Sequence, residues 1–495
     1  MASLPQSLPL PLAWLPQTSD ALPLALWDAV SIAVATGGKP SGQFQVSGVE
    51  IDSRDVVEGD LFFALKGEAS DGHAFLDKAF ANGAAAAVVD RPIDRPHILV
   101  ENTSSALEAL ARAARARIAG KVVGVTGSVG KTGVKEAIFA ALDRSSRGAA
   151  HRSVRSYNNH VGVPLSLARM SARSKFGIFE MGMNHAGEIE FLTGFVRPHV
   201  AVITTIAPAH IEMLGSEEAI ADAKAEIFLG LEPGGTAVIP ADSPHFRRLE
   251  AAAMQAGAKI VSFGSAPHAN VRLLDAIPHD NGSSLVTADL GDRRLCYTVA
   301  EPGGHWIANS LCVLAAVRAA GGDLGAAGLA LAEMGGLKGR GARHRIAVRG
   351  GQALLIDESY NANPASMRAT LAQLGHTPAK RRIAVLGAMK ELGDFGPGFH
   401  ASLVEPLAAA NVDFAVLVGP EMEALVRELG KGAGFALGKA PRFAHCANPE
   451  EAISVLEEFG LSGGDAILVK GSNSVGLARL VAHFAQGKDG RKEGR

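Results

Sequence analysis

The sequence predicts an α/β protein of three domains, and three observations carry that prediction. A short β-branched strand over 121–126 runs through Gly127-Ser-Val-Gly-Lys-Thr132 into a helical pattern. Beyond about residue 350, apolar strands and amphipathic helices alternate, which is the pattern of a parallel, doubly wound sheet with helices on both faces. The 495 residues, 47% hydrophobic and 20% charged, supply core for about three domains. The expected boundaries are 1–118, 119–337 and 338–488, with a disordered tail at 489–495.

The first domain reads as small and α/β. Strands are expected over 44–52, 60–65, 84–89 and 97–100, with helices over 74–82 and 104–118. Two polar clusters follow strands, Asp52-Ser53-Arg54 and the stretch from Lys66 to His73. Each is either a ligand contact, where α/β folds place them, or ordinary turn chemistry, since Asp, Ser and Gly are turn formers.

The second domain opens on the cradle. Gly127 and Gly130 let backbone N–H groups approach phosphate oxygens, with Ser128 between them, and the helix that follows adds the positive end of its dipole. Lys131 would reach the β/γ-phosphates, and the Thr132 hydroxyl would face a Mg²⁺. The strict P-loop pattern lacks its first glycine, because Val125 stands there. The domain is therefore expected to bind a nucleoside triphosphate on a mostly parallel sheet. A strand over 176–179 ends in Glu180, a carboxylate placed beside the cradle where a Mg²⁺ ligand belongs. Another strand is expected over 200–206, and His210 after it is a metal ligand or a turn cap. Lys224 shares the apolar face of its helix with Ile220, Ile227, Phe228 and Leu231. It is either a snorkelling lysine or a desolvated amine whose pKa falls, which carbon dioxide could convert to a carbamate ligand for Mg²⁺. A helix is expected over 310–320, and the glycine-dense, basic stretch 335–343 reads as an interdomain hinge.

In the third domain, strands are expected over 353–357, 382–386, 414–418, 441–444 and 466–469. Helices near 366–374, 401–409, 421–429, 449–459 and 476–484 separate or follow them. The polar tips 357–363, 387–393 and 470–473 all follow strands and should cluster at one edge of the sheet.

The bulk properties exclude several classes. A net charge of -2 argues against nucleic acid or an anionic membrane as partner. Three scattered cysteines without C-x-x-C spacing suggest a reducing compartment and no zinc framework. No run reaches the length of a membrane span, and the proline-broken N-terminus has no basic region of a signal peptide. The expectation is a cytoplasmic protein without membrane insertion. The N-terminal residues 1–25 are read as a loosely docked extension.

Taken together, these residues resemble the Mur ligase family of peptidoglycan synthesis. The likeness rests on GVTGSVGKT, DSR, GDLFFALKGE, YNNHVGVPLSL, FEMGMNHAGEI, AHIE, AKAEIF, GRGARH, DESYNANPASM, GAMKELG and LVKGS, and it covers nearly the whole chain after about Gly48. It points to the member that adds D-alanyl-D-alanine to UDP-N-acetylmuramoyl-tripeptide, working as a monomer. The resemblance implies an N-terminal UDP-sugar domain, a central ATPase domain and a closing C-terminal Rossmann-like domain. It implies ATP and two Mg²⁺ ions as cofactors, with Thr132, Glu180, His210 and Lys224 as metal ligands and N6-carboxylysine at Lys224. It implies that Asn309 contacts the nucleotide, that Arg340 reaches the γ-phosphate, and that Asp357 or Glu358 meets the ribose. Ser53, Arg54, Lys66 and His73 would serve the UDP-sugar. Tyr360, Asn361 and Asn363 would face the dipeptide, with Asn158 and Asn159 in the substrate channel. Three positions depart from the family pattern: Trp306 in place of an asparagine, Asn473 in place of an arginine, and Gly133 in place of a second hydroxyl residue.

The implied chemistry makes an acyl phosphate from a carboxylate and ATP, then transfers the acyl group to an amine. Two Mg²⁺ ions, Lys131 and Arg340 would neutralise the approaching anions. The competing readings are a sister ligase that adds a single amino acid, a folylpolyglutamate-type ligase, and a nucleotide-binding regulator without ligase activity.

Overall fold

The computed structural model describes residues 25–67, 70–209, 211–280, 282–431 and 441–485. The expected N-terminal extension, apart from its last residue, the expected tail and His210 lie outside the described residues. The chain divides into two compact units between Ala106 and Leu107.

The first unit is built on a five-stranded sheet in the order Lys39–Pro40, His97–Leu99, Ala86–Val89, Asp60–Phe63, Gly48–Glu50. All neighbours are parallel except the Lys39–Pro40 edge. Asp60–Phe63 and Ala86–Val89 are buried at every position, as strands covered on both faces must be. The single strand expected over 44–52 is two. Gln45–Val46 pairs antiparallel with Trp27–Asp28, while Gly48–Glu50 joins the five-stranded sheet. The chain changes partner at Ser47, whose N–H donates to the Gly59 carbonyl. Periodicity along one run cannot reveal such a change.

The second unit carries two sheets. The larger has nine strands; β1 (Lys121–Thr126), third from one edge, is flanked by β2 (Phe176–Glu180) and β3 (Val200–Ile203), all parallel. Val122 to Thr126 are buried throughout, which explains the near-continuous apolar run. Ala150–Arg152 lies beyond β2, and Thr236–Pro240 and Lys259–Gly264 extend the parallel part beyond β3. The far edge is an antiparallel meander of Val271–Pro278, Ser284–Asp289 and Arg294–Val299. Helix α1 (Lys131–Ser146) follows β1 and buries Val134, Ala137, Ile138, Ala141 and Leu142, one stripe at helical spacing. Those residues share a core with Leu311, Leu314 and Ala315 of helix α3, introduced below as Gly304–Ala319, and with Leu331. Between them in sequence, helix α2 (Glu217–Ala225) is capped by Ser216 and passes into a 3-10 turn over Glu226–Gly230.

Helix α3 (Gly304–Ala319) begins six residues before the expected start at 310. Gly303, at φ +102°, turns the chain, and the helix begins at the next residue without a side-chain cap. Gly303 is therefore the turn and Gly304 the first helical residue.

The second sheet has six strands in the order Ala342–Val348, β4 (Gly351–Glu358), β6 (Asp465–Lys470), β5 (Arg381–Gly387), Phe414–Val418, Arg442–Cys446. Every pair is parallel except the first. The strand Ala342–Val348 follows directly on the hinge and was hidden by its glycines and charges. Between β4 and β5 runs helix α4 (Pro364–His376), whose N-cap Asn363 accepts from the Ser366 N–H. The register pairs Asp357 with Val469 and Leu386 with Lys470, so the three polar tips leave the sheet at one edge, as expected.

Candidate active site

Sheet register builds the site. Glu180 stands opposite Val125, and Ile203 opposite Thr126, so the cradle, the end of β2 and the loop after β3 emerge side by side. Gly127 lies at φ +146° against Thr204, whose hydroxyl donates to the Val129 carbonyl at 2.6 Å. A methyl group at 127 would overlap that hydroxyl. The Ser128 hydroxyl donates to the Ala207 carbonyl at 2.8 Å and accepts from the Ala207 N–H at 3.0 Å. The loop is thus tied down before any ligand arrives. Gly130 supplies the left-handed turn, φ +86°, that lets α1 start at Lys131.

A cleft of about 260 Å³ opens over this loop, lined on one side by Ser128, Gly130, Lys131, Asn158, Glu180 and Asn309. Arg340, Glu358, Tyr360, Asn361, Asn363 and Lys470 line the other. Lys131 donates from Nζ to the Gly127 carbonyl at 2.6 Å. Burial pulls its pKa below the ordinary lysine range, with Arg340 acting in the same sense and Glu180 and Glu391 opposing. The Glu180 carboxylate is fully buried and accepts from the Thr132 hydroxyl and the Asn158 amide, each at 2.8 Å. This hydroxyl and carboxylate offer hard oxygens at the foot of the cradle, the donor type that suits Mg²⁺ when phosphate oxygens and water complete the shell. Among the described residues no three His, Cys, Asp or Glu side chains cluster as a complete metal site. Lys224, on α2, is 1% exposed. Burial, and then the charge of Lys131, push its amine well below the ordinary lysine range.

Across the cleft, Arg340 sits in the tight turn Leu337–Arg340 with its guanidinium 4.2 Å from the centre of the Tyr360 ring. Asn361 accepts at its carbonyl from Lys470 Nζ at 3.0 Å. Asn363, besides capping α4, extends its amide 3.5 Å from the Ser128 carbonyl and so links the six-stranded sheet's edge to the cradle loop. Asn309 packs against Gly130. The Asn159 side-chain oxygen accepts from the Gly162 N–H at 2.8 Å, just before the helix Gly162–Ala168 runs on, and Asn159 does not line the cleft.

Asp357 is one of the two acids considered for the ribose. Its carboxylate is buried and accepts from the Gly339 N–H and from the backbone and hydroxyl of Ser359, so it fastens the hinge. Glu358, the other residue considered for the ribose, lines the cleft. Lys470 was absent from the expected site residues. It is 2% exposed, lies 3.5 Å from Glu358, and is pulled below the ordinary lysine range by burial. A lysine closing an apolar strand just before a Gly-Ser turn was the available signal. His305 and Ser156 also line the cleft unannounced. Burial, with Lys470 nearby, lowers His305 to about 4.

In the first unit, Ser53, Arg54, Lys66 and His73 all follow the adjacent parallel strands Gly48–Glu50 and Asp60–Phe63. Arg54 pairs with Asp52 at 2.5 Å, and the Ser53 carbonyl accepts from Asn82 at 2.7 Å. His73 is buried between Asp71, at 2.6 Å, and Asp90, at 3.1 Å. Hydrogen bonds from the His73 backbone and ring hold Asp71 far below the usual carboxylate range. Lys66 and Asp71 face each other as an isolated antiparallel backbone bridge.

Comparison with known proteins agrees with this geometry. Residues 125–317 match the Mur ligase middle domain, 344–473 the Mur ligase, glutamate ligase domain, and 45–119 the Mur ligase family, catalytic domain. The chain is 35% identical to the UDP-N-acetylmuramoyl-tripeptide–D-alanyl-D-alanine ligase of Synechocystis, over 90% of its own length and 93% of that protein. The crystal structure of MurF from Acinetobacter baumannii superposes with a TM-score of 0.80 at 30% identity, covering 94% of this chain and all, 100%, of that one. The MurF ligase of Thermotoga maritima in complex with ADP matches with a TM-score of 0.72 at 28% identity, covering 90% of this chain and 99% of the other. With its cradle, its cleft and this likeness along most of its length, the chain belongs to the Mur ligase family.

Proposed function

We infer that this chain is an ATP-dependent ligase that joins D-alanyl-D-alanine to UDP-N-acetylmuramoyl-tripeptide in peptidoglycan precursor synthesis. One observation carries the reading. A phosphate cradle faces the polar tips of a second parallel sheet across one cleft, in a chain that matches D-alanyl-D-alanine-adding relatives over 90% of its length.

The substrate carboxylate attacks the γ-phosphorus of ATP, releasing ADP and leaving an acyl phosphate. The dipeptide amine then attacks the acyl carbon, and inorganic phosphate departs with the C–O bonding pair as the amine loses a proton. In this reading Gly127, Ser128 and Gly130 present backbone N–H groups to the phosphates, and Lys131 exchanges its bond to the Gly127 carbonyl for a phosphate oxygen. Arg340 approaches the γ-phosphate from the turn Leu337–Arg340, already aligned by Tyr360. Thr132, Glu180 and His210 would hold Mg²⁺, with Lys224 assigned to a second ion. When bound, the two ions would offset phosphate charge that the protein's own cations leave uncompensated. Lys224 fits the additional role of N6-carboxylysine. Its buried neutral amine would bond to the carbon of carbon dioxide, lose one proton, and become an anionic carbamate.

Asn309 is assigned to the nucleotide and Glu358, in preference to Asp357, to the ribose. Tyr360, Asn361, Asn158 and Asn363 are assigned to the dipeptide side, and the polar edge of the first unit to the UDP-sugar. In this reading the chain acts as a monomer on cytoplasmic substrates. No helix among the described residues is long and apolar enough to cross a membrane.

The test is ADP release with Mg²⁺-ATP and UDP-N-acetylmuramoyl-tripeptide, with and without D-alanyl-D-alanine. Release that requires both, with a product of UDP-pentapeptide mass, is expected. Turnover only with the UDP-dipeptide and a free amino acid would reassign the chain to a sister ligase. Nucleotide binding without substrate-dependent ADP release would leave a binding protein.

A further inference from the structure

We propose that Trp306 is the wall on which the nucleotide base stacks, and that Gly133 is bare in order to admit the indole. The proposal rests on the nucleotide reading above and adds the group that recognises the base. Helices α1 and α3 meet at their first turns. An added Cβ at Gly130 would lie 3.0 Å from Asn309 Oδ1, and one at Gly133 would lie 2.8 Å from Trp306 Cη2 and 3.0 Å from Cζ2. Residues 130 and 133 are three apart on one helix end, and 306 and 309 are three apart on the other, so each pair shares a face. One face carries no side chains and the opposing face carries a large ring and an amide. All four residues line the cleft.

Position and chemistry then favour a base. The start of α1 takes the phosphates, so the nucleoside must continue along a wall adjoining that turn. Trp306 adjoins it at Gly133, and the indole is only partly buried. The other aromatic groups lining the cleft are His305 and Tyr360. The Tyr360 ring is already engaged by Arg340, and His305 presents a smaller ring tilted 47° to the indole at 6.4 Å. The indole has the largest π surface of the three and matches a purine better than a pyrimidine.

The test measures binding of Mg²⁺-ATP and of inorganic tripolyphosphate to the intact chain, to Trp306→Ala, to Trp306→Phe and to Gly133→Ala. Loss of one base-stacking contact should weaken ATP binding by about tenfold or more in Trp306→Ala. The same variant should bind tripolyphosphate as the intact chain does, and Trp306→Phe should recover part of the ATP affinity. Gly133→Ala should weaken ATP binding by displacing the indole, and should have no effect when Trp306→Ala is already present. Alanine is the better helix former, so that variant keeps its fold. Equal weakening of both ligands in Trp306→Ala would assign the indole to packing and overturn the proposal, as would unchanged ATP affinity. If the intact chain bound neither ligand, the nucleotide reading itself would fall and this proposal with it.

Discussion

Replacing Glu180 by alanine and by glutamine separates two roles of one carboxylate. The side chain is 0% exposed and accepts two hydrogen bonds at 2.8 Å, from Thr132 and Asn158. Alanine leaves both donors without that acceptor. Thr132 retains only the Ser156 hydroxyl, at 3.4 Å. A buried polar group deprived of its partner costs about 1–3 kcal/mol, so two predict a loss of roughly 2–6 kcal/mol. At about 2 °C per kcal/mol for a large domain, Tm should fall by about 4–12 °C. Glutamine keeps the shape and an acceptor oxygen, and its amide can donate to the Thr132 hydroxyl. Its stability cost should be near 1 kcal/mol, that of weakening one charge-assisted bond. The chemistry should not distinguish the two variants. Both remove the anion at the foot of the cradle, and substrate-dependent ADP release should fall by about 100-fold or more in each. Thermal melts and ADP release at limiting and saturating Mg²⁺ check both halves. Turnover by Glu180→Gln close to that of the intact chain at either Mg²⁺ level would refute the reasoning and leave Glu180 a structural acceptor.

Two further predictions rest on buried titratable groups. Lys224→Met should abolish turnover without lowering Tm, and the intact chain should lose activity when bicarbonate and carbon dioxide are removed; a Met variant that turns over would return Lys224 to core packing. The folded amine is depressed below its unfolded value of 10.5, so the unfolded chain binds the extra proton. This contribution to stability therefore grows as pH rises from the folded pKa toward 10.5, a slope that Lys224→Met should flatten. Glu301 shows the opposite sign. Burial raises it from 4.5 to about 7, with Glu358 adding and Arg343 opposing, so between those values the unfolded carboxyl has lost a proton that the folded one keeps. Its contribution to stability is complete below 4.5 and is lost as pH rises through about 7. Glu301→Gln should therefore change Tm little at low pH and raise it above neutrality. The gain is bounded by about 3 kcal/mol at 1.36 kcal/mol per unit, and a Tm difference that does not vary with pH would rule the account out.

The residues that were legible in sequence are those whose role is local. A β-branched run, a glycine-bearing turn and Lys131-Thr132 at a helix start define the cradle within a dozen residues, because strand, turn and helix each have a short-range signature. Glu180 was legible for the same reason, as an acid ending an apolar strand. The alternation of the third domain implied a parallel sheet, since buried strands and crossover helices both leave their periods in the chain. Signals that depend on a partner were not legible. The antiparallel meander 271–299 and the strand Ala342–Val348 mix polar and apolar residues without a strict alternation and are defined by what they pair with. Two adjacent acids, Asp357 and Glu358, are indistinguishable by type. The hinge decides between them, because the Gly339 N–H takes one carboxylate and leaves the other to the cleft. Lys470 closes a strand in sequence and becomes a cleft residue only because β6 lies between β4 and β5. Gly133 and Trp306 are 173 positions apart, so only the packing of two helix ends makes one the reason for the other.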